Sequence, residues 1–233
     1  MINVQYIFDS VSDLSRKKDA GYTSFEEFNR HLNAAQDILM RYYYKLFEEA
    51  QIIVDSVFPF LVETQLQIEP NATVIMPSDY RYRLEVGYLE INNPSCDSPT
   101  GQPIVKPKTM HYLAANEVME TLSSPIRKPS KEKGIYRHTF VNNIMKVYPT
   151  DLTGYVNFKY IRDPRVAKYG VTIDVVNRIE VYDPLTSVDP EWLAQDTDNL
   201  VDLILMFQGL AIRENAIIQW LQQKNQFTTQ KGV

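Results

Sequence analysis

Cysteine is almost absent from this 233-residue chain, where Cys96 stands alone. One thiol cannot form an intrachain disulfide or a cysteine-based zinc site, and a lone cysteine fits assembly in a reducing cytoplasm. Glycine is scarce, at 8 residues, so glycine-rich phosphate loops have little raw material. The chain contains no Walker A loop, dinucleotide fingerprint, metalloprotease histidine pair or nucleophile elbow. His31, His111 and His138 lack metal-ligand spacing. No stretch approaches the ~18 uncharged apolar residues that cross a bilayer. The residues after Met1 place no positive leader before a long apolar run, so no secretory signal is expected. Surplus positive charge is lacking too, since the net charge is −5, which argues against a general nucleic-acid binder.

What is present suits a globular protein of one large domain or two small ones. Hydrophobic residues make up 44% of the chain and charged residues 23%, enough to pack a core. The 15 tyrosines fit either subunit interfaces or half-exposed strand positions. Charge is segregated along the chain. Residues 1–70 hold 6 Lys/Arg against 11 Asp/Glu, residues 71–185 hold 15 against 12, and residues 186–233 hold 3 against 6. Two acidic ends bracket a mildly basic middle.

The ends read as helices. Val4, Ile7, Phe8, Val11 and Leu14 recur at helical spacing. Ser24-Phe25-Glu26-Glu27 has the form of a capping box, and it opens a helix running to about Ala50, with Pro59 ending any continuation. Asp189-Pro190-Glu191 predicts a second helix start, followed by an apolar face from Leu200 to Leu221. Trp192 and Trp220 read as packing anchors.

The middle changes period. Thr73–Met76 reads as a short strand. Tyr80, Tyr82, Leu84, Val86 and Tyr88 alternate with Arg81, Arg83, Glu85 and Gly87, the pattern of a half-buried strand. Asn92–Lys108 reads as a loop and Ala115–Leu122 as a short helix. Ile135–Phe140 and Ile144–Tyr148 flank a hairpin turn, Gly154–Ile161 is a further strand, and 171–176 with 178–182 is a weaker pair. The segment from Ser124 to Gly134 is a loop carrying most of a basic cluster: Arg127, Lys128, Lys131, Lys133 and, just beyond, Arg137. These five are candidate contacts for an acidic neighbouring surface or for phosphate. A solvated loop is the alternative, because no aromatics are interleaved to stack bases. With little apolar content, the loop is expected to move freely until a neighbour orders it.

Five segments, taken in order, resemble a known family. They are Tyr22–Asn29 through Ala34-Ala35-Gln36, Asp55–Phe60, Met76-Pro77-Ser78-Asp79-Tyr80, Val147-Tyr148-Pro149 through Tyr160–Pro164, and Pro190-Glu191-Trp192 with the closing helix. In this order they resemble the head-to-tail connector proteins of tailed DNA bacteriophages, also called adaptor or neck ring proteins, and most of all the ring proteins of crAss-like phages. Met76 stands where that family's Leu-Pro-x-Asp-Tyr/Phe motif has leucine. The resemblance implies a homo-oligomeric ring, commonly twelvefold, in the neck of a virion made in a bacterial cytoplasm. Its partners would be the portal protein, other neck or tail proteins, and passing double-stranded DNA bound without sequence specificity. The family has no catalytic residues, and neither cofactor, metal nor membrane is implied.

The expected architecture is α+β. Residues 1–70 and 186–233 would form an antiparallel helical bundle, and residues 71–185 an inserted, mostly antiparallel β module. The expected function is a non-enzymatic structural virion protein at the portal–tail junction. The rival readings are an assembly or scaffolding factor absent from the mature particle, and a hydrolase with an unrecognised site. If the acidic helices line the DNA channel, Glu26 and Asp37 are candidate channel-facing acids that would let DNA slide without sticking.

Overall fold

The computed structural model describes residues 2–17, 24–50, 55–92, 104–174 and 179–208. The chain is a mixed α+β protein with predominantly antiparallel sheets. It divides into two compact units. One combines residues 1–59 with 164–233, and the other is residues 60–163.

The first unit is built on helices α1 (Val4–Lys17), α2 (Phe25–Ala50) and α4 (Thr197–Phe207). Val4, Ile7 and Val11 of α1 are buried one turn apart, as its periodicity predicts. The α2 helix opens at the predicted cap, where Ser24 Oγ accepts the Glu27 amide at 3.2 Å. It buries Phe28, Leu32, Ala35, Leu39 and Met40. Near its end, Tyr43 donates a hydrogen bond to Asp196, just before α4. Near its start, the His31 ring stacks on Phe207, at the end of α4, at 5.7 Å. These two contacts make α2 and α4 antiparallel neighbours. The part of the closing helix expected beyond Gln208, with Trp220, lies outside the described residues.

The Asp189-Pro190-Glu191 cap differs from expectation. The chain stays non-helical to a 3₁₀ turn at Ala194–Asp196, and α4 starts only at Thr197. Asp189 serves another helix: its Oδ1 accepts the Val4 amide of α1 at 2.8 Å, while Asn3 Oδ1 accepts the next free amide, that of Gln5, at 2.7 Å. The carboxylate performs the capping chemistry its residue type favours, but across a sequence gap that no local pattern reveals.

Extended residues 165–169 lie along α2. They lead into a two-stranded hairpin, β9 (Val171–Asp174) and β10 (Ile179–Tyr182). Asn29 and Asn33 each hold one residue of this segment through both amide atoms, Tyr169 and Ala167 respectively. The spacing works because four helical residues rise about 6 Å and two extended residues about 6.6 Å.

The second unit contains two four-stranded sheets. One has the order β1 (Leu61–Gln67), β8 (Tyr155–Arg162), β3 (Tyr80–Asn92), β4 (Ile104–Thr109); the other has β2 (Thr73–Ile75), β7 (Ile144–Tyr148), β6 (Arg137–Val141), β5 (His111–Tyr112). All pairings are antiparallel except β5 with β6. Between β5 and β6 lies the short helix α3 (Val118–Ser123). The two sheets share a core that includes Val74, Val86, Met145, Val147, Val156 and Phe158.

The boundaries at 60 and 163 shift segments that the charge pattern assigns elsewhere. β1 falls within the acidic stretch 1–70, yet it pairs with β8 along its whole length. Its Leu-Val-Glu-Thr-Gln-Leu-Gln sequence is too polar to announce a strand, and the pairing supplies what the sequence lacks. Residues 164–185 belong with the helices because the asparagine contacts fasten them to α2. The β unit therefore holds 12 Lys/Arg against 11 Asp/Glu, close to neutral rather than distinctly basic. β4 occupies part of the expected loop at Asn92–Lys108. Pro107 is tolerated there because β4 is an edge strand.

Candidate contact surface

The basic loop is folded by its own hydrogen bonds. Ser124 Oγ accepts the Arg127 amide at 3.2 Å, and the Ser124 carbonyl accepts that of Lys128 at 3.0 Å. Ser130 and Ile135 form a reciprocal backbone bridge, closed by Gly134 at φ +63°, where glycine is free of the Cβ penalty. Polar bonding thus supplies organisation that the loop's apolar content does not.

The five basic candidates separate. Lys131 donates to the Asp151 carbonyl at 2.5 Å and lies 3.1 Å from its carboxylate. That contact holds the Asp151 carboxyl below its ordinary range. Lys133 donates to the Pro125 carbonyl at 3.2 Å. Arg127 sits 3.7 Å from Glu120, both well exposed, a pairing worth little in water. Lys128 is exposed and has no side-chain partner among the described residues. Arg137 is on strand β6, half-buried, rather than in the loop. An open cleft of about 520 Å³ lies beside the loop, lined by Pro125, Lys128, Pro129, Lys131, Lys133 and Asp151 among others. Met119 and Ile126, each 80% exposed, add apolar surface to this basic region.

The two acidic candidates lie on α2. Glu26 is exposed in its first turn, where a carboxylate also favours the helix dipole. Asp37 is ion-paired with Arg41 one turn on, at 2.6 Å. Its charge is partly neutralised, which leaves Glu26 as the cleaner negative position.

A further cluster escapes the sequence pattern. Simple alternation predicts Arg83 on the polar face of β3. The register against β8 shifts between Tyr80 and Tyr82 and again between Arg83 and Glu85. Arg83 therefore opposes Tyr160, as Val86 opposes Phe158, and both partners are buried. The irregularity at Leu84 turns Arg83 inward. Its guanidinium lies 4.2 Å from the centre of the Tyr112 ring and 5.3 Å from that of Phe140, and one N–H donates to His138 Nε2 at 3.2 Å. Arginine only donates, so the other ring nitrogen of His138 carries the proton. Burial, reinforced by Arg83, pushes the His138 pKa down to about 3, so the ring is neutral. No residue-level signal could have exposed this group, because the two register shifts exist only in the paired sheet.

Among the described residues, no three His, Cys, Asp or Glu side chains are grouped to hold a metal ion. No described helix is long and apolar enough to cross a membrane. Cys96 lies outside the described residues. No family model matches the chain, and no curated protein matches it.

Proposed function

We propose that the chain is a non-enzymatic structural protein that forms a ring at the portal–tail junction of a tailed bacteriophage, around the DNA channel. One observation supports this reading beyond the resemblance itself. Two of the family-like segments, far apart in sequence, form one bonded element. Asp79 of Met76–Tyr80 accepts the Tyr160 hydroxyl at 3.0 Å through its carboxylate and the Asp163 amide at 2.8 Å through its carbonyl. Tyr160 and Asp163 belong to the segment ending at Pro164. These bonds give the motif residues a structural part in joining the two segments.

In this reading the helices of the two chain ends form an antiparallel bundle. The basic loop meets a neighbouring subunit, and the helical acids face the channel. Neighbouring contacts in a cyclic ring are heterologous, so one face of the chain meets a different face of the next. Reconstruction of intact particles tests the proposal. A ring of this chain coaxial with the portal is the expected result, and finding it only in the capsid shell or tail fibres overturns it. Absence from purified particles would assign it instead to assembly.

A further inference from the structure

Arg83 is a cation turned into the β unit without an anion. No carboxylate lies within ion-pair distance of it among the described residues. His138 is neutral, and the aromatic faces of Tyr112 and Phe140 offset the charge only through their quadrupoles. Inward-facing charges are ordinarily paired. A guanidinium has five N–H donors in a planar fork, and His138 takes one. Tyr112 and Phe140 flank the guanidinium, and Tyr80 stacks on Phe140 at 6.2 Å. Tyr112 is 49% exposed and stands on a two-residue edge strand, and Arg83 is itself only half-buried, so the group reaches solvent.

We propose that the Arg83 guanidinium, framed by these rings, is a recognition site for a single carboxylate, an aspartate or glutamate side chain presented by another polypeptide. The fork fits a carboxylate in two-point geometry. The aromatic faces flank the guanidinium, and arginine and tyrosine are among the residue types that dominate protein contacts. Nucleic acid fits less well. Backbone binding relies on several exposed cations along a track, whereas Arg83 is single and recessed. The proposal is independent of ring assembly, because a partner of any origin can supply the carboxylate.

The test uses the full chain with ¹⁵N-labelled arginine. Its Arg83 Nε–H signal is assigned by its loss in Arg83→Lys. The probes are a blocked Gly-Glu-Gly peptide, its Gly-Gln-Gly counterpart and inorganic phosphate. The expected result is a saturable shift of the Arg83 signal with the glutamate peptide and none with the glutamine peptide. Affinity for the glutamate peptide, followed through the peptide's own signals, should weaken at least about tenfold in Arg83→Met, as expected when one partner of a hydrogen-bonded charge pair is removed. If that variant does not fold, the comparison of glutamate with glutamine on the wild-type chain still decides. An unmoved Arg83 signal, or equal response to both peptides, overturns the proposal. Saturation by phosphate at lower concentration than by the glutamate peptide also overturns it, in favour of a phosphate-bearing ligand.

Discussion

Asn33 of α2 and Ala167 of the returning chain are joined by two hydrogen bonds. The Asn33 amide nitrogen donates to the Ala167 carbonyl at 2.8 Å, and its oxygen accepts the Ala167 amide at 2.9 Å. The same side chain also donates to the Asn29 carbonyl at 2.7 Å and accepts from Gln36 at 3.1 Å. It thereby uses its full complement of two donors and two acceptor lone pairs. Replacing Asn33 with alanine should lower stability by roughly 2–4 kcal/mol, because it leaves backbone groups of Ala167 without their partner. Chemical denaturation of the variant measures this, and a loss below about 0.5 kcal/mol, typical of a neutral surface change, would contradict it.

Gly170 follows the same segment. A methyl group placed there would lie 2.3 Å from Thr186 Oγ1, 2.7 Å from the Thr186 carbonyl carbon and 2.8 Å from the Ser187 nitrogen. Gly170→Ala should destabilise the chain by about 1–3 kcal/mol. Adding Thr186→Ala should not restore stability, because two of the three clashes are with backbone. Full rescue in the double variant would show that the hydroxyl alone sets the limit.

His138 sets an acid limit. Its folded pKa, about 3, lies below the ordinary 6.5, so below pH 6.5 the unfolded chain takes up a proton that the folded chain refuses. The associated stability is fully present above pH 6.5 and is lost as pH falls towards 3, at up to about 1.4 kcal/mol per pH unit. Comparison of urea midpoints at pH 7 and pH 4.5 for the wild type and His138→Gln isolates this contribution. The variant should show the shallower acid dependence.

Tyr160 acts at the other end of the scale. Burial, with its hydrogen bond to Asp79, pushes its pKa up to about 12. The neutral phenol is favoured in the folded chain, so its stabilisation is complete below pH 10 and declines as pH rises from 10 towards 12. Tyr160→Phe should flatten the alkaline limb of the stability profile. Its cost at pH 7 reads out the joint with Asp79.

The basic loop now divides into two tests. Arg127→Ser with Lys128→Ser touches only an exposed ion pair and a side chain without a described partner. That variant should keep its thermal midpoint and be under-represented in assembled particles. Lys131→Ser with Lys133→Ser removes bonds to Asp151 and Pro125 and should lower the midpoint of the isolated protein. Wild-type incorporation of the first variant over a range of salt concentrations would leave the loop no role in subunit contact.

Local chemistry was enough to place the α1 stripe, the Ser24 cap of α2, the hairpin of β6 with β7 and the alternation of β8. Each rests on neighbours within a turn or a strand, where side-chain period and capping act directly. Distant chain segments decided the rest. β1 is a strand because β8 pairs with it, Asp189 caps α1 rather than its own downstream helix, and Asn29 with Asn33 draws residues 164–185 to the helical unit. The register shifts around Leu84 set the direction of Arg83, which alternation assigns to the opposite face. Hydrogen-bond partners far apart in sequence and irregular strand registers leave no periodic trace, so these features were fixed only when the chain closed on itself.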